Sequence, residues 1–221
     1  ERIAERIDAN LLNVPLDELA DLSKDMYDKK IQKVENKTQG KLIVKEYPTA
    51  VAGTGHFRHL INELKLKRSF APDIVYIDYL NICSSSRMKM GAAVNSYTYI
   101  KAIAEELRGL AVEKDIPIVS ATQTTRSGFS NSDPGLEDTS ESFGLPATAD
   151  FMIALISTEE LEASNQIMIK QLKNRYNDPT QYKRFVLGMD RSKMRLYDVD
   201  ENEQTLTDDT PVMDKSNYGE R

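Results

Sequence analysis

Asp73-Ile74-Val75-Tyr76-Ile77-Asp78-Tyr79-Leu80 is the stretch whose reading decides the fold. It is a run of β-branched and aromatic residues closed by a carboxylate, the form of a Walker B strand. An apolar run without polar alternation suits a parallel strand buried on both faces. In open α/β sheets, ligands bind beyond the C-terminal ends of the strands. A carboxylate at that edge can hold Mg²⁺, directly or through a water, beside nucleotide phosphates. Asp78 is therefore the first candidate metal ligand.

Outward from this strand, helical spacing of apolar residues predicts helices over 1–13, 23–38, 56–68 and 96–114, with a short one at Leu16–Leu19. Strands are expected at Lys41–Tyr47, Pro117–Thr122, Phe151–Ile156, Gln166–Arg175, Tyr182–Met189 and Met194–Val199. Strands alternating with helices, followed by a run of strands, argue for one α/β sheet, mostly parallel, with antiparallel strands added at an edge. Residues 1–199 would form the domain and 200–221 an acidic, disordered tail.

Composition narrows the function. The chain has 221 residues, 40% hydrophobic and 29% charged, enough for one large domain. No apolar run approaches the roughly 20 residues that span a bilayer. The single Cys83 forbids an intrachain disulfide and suits a reducing, cytoplasmic setting. A net charge of −6 argues against coating nucleic acid with the whole surface, though not against basic loops in a channel.

Gln123 ends the strand after the Asp78 strand and its helix, so both residues should reach one sheet edge. An amide there can bond a γ-phosphate or the attacking water. The loop at Ser84–Lys89 carries Arg87 and Lys89, and the loop at Thr124–Ser130 carries Arg126, Ser127 and Phe129. Cations, hydroxyls and an aromatic suit sequence-tolerant contact with single-stranded nucleic acid. Gln171, Lys173 and Arg175 alternate, and period two puts all three on one face, as a reader of phosphate oxygens. Two other features carry less. Ala52-Gly53-Thr54-Gly55-His56 lacks the Gly-Lys-Ser/Thr of a phosphate loop, and His56 with His59 is expected on a solvated helix face.

Several segments together resemble the C-terminal motor domain of the DnaB family of replicative DNA helicases, in particular those of T-even-type phages. They are Arg6–Asn10, Leu60–Lys67, Asp78-Tyr79-Leu80, Lys101–Val112, Ala121-Thr122-Gln123, Glu141-Ser142 with Gly144–Phe151, and Lys173–Tyr176. The resemblance implies a RecA-like core in a homo-hexameric ring, with ATP and Mg²⁺ bound between subunits. Single-stranded DNA would pass through the centre, with translocation 5′ to 3′ and a primase and helicase loader as partners. It makes Asp78 the Walker B aspartate and Gln123 the sensor glutamine. Lys173 and Arg175 become the pair given in trans to the neighbour's nucleotide. Glu141 falls on an acidic DNA-contacting position, flanked by Ser140 and Phe143 where bacterial members have Arg and Gly. In the family a Walker A loop and a catalytic glutamate precede a segment like Glu1–Asn13; neither is in these residues. The expectation is a helicase piece lacking its first strand and unable to hydrolyse ATP alone. A RecA-type recombinase core, or a non-catalytic DNA-binding or assembly module, are the alternatives.

Overall fold

The computed structural model describes residues 2–89, 95–124, 135–136, 144–178, 181–200 and 204. In chain order the elements are α1 (Arg2–Leu12), α2 (Lys24–Glu35), α3 (Thr54–Arg68), β1 (Val75–Ile77), α4 (Ser96–Lys114) and β2 (Ile118–Ser120). There follow α5 (Gly144–Thr148), β3 (Phe151–Ile156), α6 (Glu159–Ala163), β4 (Gln166–Asn174), β5 (Arg184–Asp190) and β6 (Arg195–Asp198). Single 3-10 turns lie at Leu19–Asp21 and Leu80–Ile82.

The core is built on α4. Asn95 caps its start, accepting the Tyr97 N–H at 3.0 Å, and Asp115 closes it in the left-handed region at φ 53°. Between them Tyr99, Ile100, Ile103, Ala104, Leu107 and Leu110 are buried at helical spacing. Leu80, Cys83 and Leu145 join this cluster, and Phe57, Ile77, Met88 and Met152 pack against it. One helix thus holds the Asp78 strand, the loop after it, α5 and β3.

β1 and β2 pair in parallel, with Ile77 opposite Ser120. β3, β4, β5 and β6 form an antiparallel sheet in sequential order. The mixed α/β class stands, but the expected single sheet is corrected. Among the described residues the strands divide into two sheets, and no ladder joins β2 to β3. Lys41–Tyr47 is not a strand: among the described residues no neighbour takes up its backbone groups, and Leu42 and Val44 are exposed. The Asp78 strand is buried on one face only: Ile77 packs on the core while Tyr76 is 69% exposed. On β3, likewise, Ile156 is buried and Phe151, Ile153 and Leu155 are exposed.

Two residues of the N-terminal segment meet the β5–β6 turn. Asn10 Nδ2 donates to the Met194 carbonyl at 2.6 Å, and the Leu16 N–H to the Ser192 carbonyl at 2.8 Å. Where β6 no longer covers β5, the Gln204 side chain takes its place and bonds both backbone groups of Val186. Apart from Gln204, the tail expectation beyond Asp200 lies outside the described residues. Among the described residues no helix is long and apolar enough to cross a membrane.

Candidate functional site

The C-terminal ends of β1 and β2 are stitched together. Ser120 Oγ donates to the Ile77 carbonyl at 2.8 Å, the Leu80 N–H to the Ala121 carbonyl at 3.2 Å, and Thr122 Oγ1 to Asn81 Oδ1 at 2.9 Å. Gln123 Nε2 donates to the Tyr79 hydroxyl at 3.3 Å. Asp78 and Gln123, both exposed, therefore stand at one edge of a parallel pair. The Asp78–Tyr79 peptide bond is cis. Among the described residues no three His, Cys, Asp or Glu side chains cluster to cage an ion. A lone carboxylate suits Mg²⁺ all the same, since that ion takes one or two carboxylates and completes its shell with waters and phosphates.

A second cluster forms where β4 passes α5. Lys173 Nζ donates to the Pro146 carbonyl, and Arg175 Nη2 to the Ala147 carbonyl at 2.8 Å. Arg108 Nη1, from α4, donates to the Thr148 carbonyl at 2.6 Å. Asp150 is shared by Arg108 at 2.6 Å and Arg175 at 3.0 Å. Burial pushes the Asp150 carboxyl upward, but the two guanidiniums outweigh it and hold its pKa below the usual value. Burial and the Arg175 charge push the Lys173 ammonium down. Three cations against one carboxylate leave this site positive, and they satisfy the last carbonyls of a five-residue helix.

Gln171 does not belong to this set, which corrects the period-two expectation. Met152 pairs with Lys173 but Ile153 with Gln171, so Leu172 is an extra, bulged residue. Adjacent residues 152 and 153 face opposite ways, and so do their partners. Gln171 turns to the other face, where its amide donates to the Gln181 carbonyl at 3.2 Å and accepts from Asn174 Nδ2 at 2.8 Å.

The loop after β1 is more ordered than its serine-rich sequence suggests. Ser85, Ser86 and Arg87 all turn to Glu106 on α4, and Arg87 Nη2 also donates to Glu105 at 2.8 Å and to the Ala102 carbonyl at 3.0 Å. Lys89 is exposed. Arg126, Ser127 and Glu141 lie outside the described residues. His56 Nδ1 accepts the Gly53 N–H at 3.3 Å, capping α3, so it is not merely solvated. His59 is, with its ring 3.9 Å from Glu63. Both line a cavity of about 500 Å³ with Lys45, Tyr47, Leu60 and Glu63.

Sequence reasoning missed Arg108, Asp150 and Glu106. Charged residues on a helix are normally solvated, so nothing marked Arg108. Glu106 did leave a signal: it stands three residues after Ile103 and four before Leu110, on the apolar stripe itself. A carboxylate at such a place must be paired.

A sequence profile described as the DnaB-like helicase C terminal domain matches residues 1–189. The DnaB-like replicative helicase of Enterobacteria phage T4 is 46% identical over 205 residues, covering 91% of this chain and 43% of that protein. The chain thus spans less than half the length of that relative. In structure it is similar to a solved DnaB-like replicative helicase characterised with its interactions with primase, with TM-score 0.70, 16% identity and coverage of 89% of this chain and 47% of that one. It is also similar to the ATPase domain of G40P, with TM-score 0.71, 17% identity and coverage of 89% and 69%.

Proposed function

Because this chain belongs to the DnaB-like helicase C-terminal domain family, we propose that it is the larger part of a RecA-like motor in an ATP-dependent replicative DNA helicase. The intact protein would form a homo-hexameric ring, move 5′ to 3′ on single-stranded DNA and unwind duplex at a fork. The observation that carries this reading is the stitched strand edge. It brings the strand ends that carry Asp78 and Gln123 to one edge of a parallel pair, the kind of edge at which α/β folds bind nucleotide.

When bound, Mg²⁺–ATP supplies the transferable phosphoryl group and a cation that neutralises its charge. Asp78 would hold the ion. Gln123 would offer its amide to the γ-phosphate or the attacking water, its bond to Tyr79 coupling it to β1. Lys173 and Arg175 would stabilise charge on a neighbouring subunit's phosphates. To do so they would exchange carbonyls of α5 for phosphate oxygens. Arg126, Ser127 and Glu141 would contact DNA. No Gly-x-x-x-x-Gly-Lys-Ser/Thr occurs in these 221 residues. Without that cradle for the phosphates, this polypeptide alone would not turn over ATP. A primase and a loader are the protein partners proposed, the first because a solved relative was characterised with its primase interactions.

The test is Asp78→Asn in the intact helicase. DNA-stimulated ATP hydrolysis should fall by about a hundredfold while the melting temperature holds. Unchanged hydrolysis would remove Asp78 from the site. Electron microscopy with a nucleotide analogue should show closed rings; open filaments without rings would favour the recombinase alternative.

A further inference from the structure

The side chain of Glu106 is 7% exposed. Its carboxylate accepts from Thr54 Oγ1 at 3.1 Å, from Ser85 Oγ, from the Ser86 N–H at 2.9 Å and from Ser86 Oγ at 2.6 Å. The Arg87 N–H lies 3.4 Å from it and the Arg87 Nε 3.5 Å. One carboxylate therefore gathers the start of α3 and three consecutive loop residues onto α4. The rest of the loop backbone is also used. The Ser85 hydroxyl accepts the Arg87 and Met88 N–H groups, each at 3.1 Å, and the Ser85 N–H donates to the Tyr99 hydroxyl at 3.1 Å. On the other flank, the Ser84 N–H donates to the Ala52 carbonyl at 2.7 Å.

This arrangement decides what Arg87 can do. Its guanidinium is spread over Glu105, Glu106 and the Ala102 carbonyl. A DNA phosphate approaching it would meet the negative charge of the two carboxylates already paired with it. Lys89 is exposed and directly follows Met88, the last residue of this anchored segment. We propose that Glu106 is the positioning residue of this loop, that Arg87 is its strut onto α4 and not a phosphate ligand, and that Lys89 is the cation the loop presents to the single-stranded DNA backbone. The proposal rests on the helicase reading above, and it removes Arg87 from the DNA contacts expected from the sequence.

The experiment uses the intact helicase with a non-hydrolysable ATP analogue and a fluorescent oligo-dT strand, titrated across a salt series. Lys89→Ala should reduce the slope of log affinity against log salt by about 0.7 for each engaged subunit. Arg87→Lys keeps the charge but loses the fork, so it should weaken binding and leave the slope unchanged. Arg87→Ala and Glu106→Ala should each weaken binding, and the double variant should fall within about twofold of the weaker single one, since both break one device. If Glu106→Ala does not fold, the Ser85→Ala/Ser86→Ala variant removes the same anchor from the other side and takes its place in the cycle. Independent effects of Arg87→Ala and Glu106→Ala, or a slope left unchanged by Lys89→Ala, would overturn the assignment. Failure of the unaltered protein to bind oligo-dT would instead overturn the helicase reading itself.

Discussion

Glu106 is the residue on which the local electrostatics turn. Burial alone would raise its pKa, but hydroxyl and amide donors from Ser85, Ser86 and Thr54 outweigh burial and hold it at about 2, against an ordinary 4.5. A carboxyl with a depressed folded pKa contributes stability that is fully present above its unfolded pKa and lost as pH falls through the folded one. The glutamine variant cannot titrate there. Wild type should therefore be the more stable of the two at neutral pH, and its advantage over Glu106→Gln should shrink between pH 4.5 and pH 2. Urea midpoints measured across that range check this; a constant difference would mean that the charge of Glu106 does not support the loop. Gly53 belongs to the same corner. A methyl group there would overlap the Ser84 carbonyl oxygen, so the close approach of two loops requires glycine.

Among the elements, β4 shows how one inserted residue selects which side chains act together. The bulge at Leu172 keeps Lys173 and Arg175 on the face that meets α5 and turns Gln171 away. Deleting Leu172 should leave both pairings intact, Met152 with Lys173 and Ile153 with Gln171, at a cost of about 1–2 kcal/mol for one half-buried leucine. Deleting Ile169 instead shifts one side of the strand by a residue, flips every side chain there and should abolish cooperative unfolding. Urea denaturation of the two deletion variants distinguishes these outcomes. If the Leu172 deletion is as damaging as the other, the bulge is not where the register places it. The spacing of Gln171, Lys173 and Arg175 carried no trace of it, because a bulge is defined by the partner strand and not by the strand that holds it.

At the scale of the whole molecule, the main feature is apolar surface on strands whose sequences look buried. Tyr76 and Val119 on the parallel pair, and Phe151, Ile153 and Leu155 on β3, are exposed. Such faces recruit other surfaces. The 221-residue chain alone should bind an apolar dye such as ANS and exchange the amides of β1 and β2 quickly. The intact helicase should do neither, as dye fluorescence and hydrogen exchange would report. Equal dye binding by both chains would mean that these faces stay open in the motor as well. What the sequence determined by itself was local. α4 was legible from its stripe and length, the Asp78 strand from its apolar run, and β3 to β6 from their composition and turns, because helix period, caps and strand propensity act over a few residues. The placement of Asp78 and Gln123 at one edge also followed, since a strand, a helix and a strand leave parallel neighbours little choice. Only the tertiary structure decided that, among the described residues, the strands form two sheets and Lys41–Tyr47 stays unpaired, and that Gln171 leaves the basic face. It alone brought Arg108 to Asp150, 42 residues away, and Thr54 to Glu106, 52 residues away. Those outcomes depend on which distant groups satisfy a buried charge or an open backbone edge, and a residue's neighbours in sequence do not contain that information.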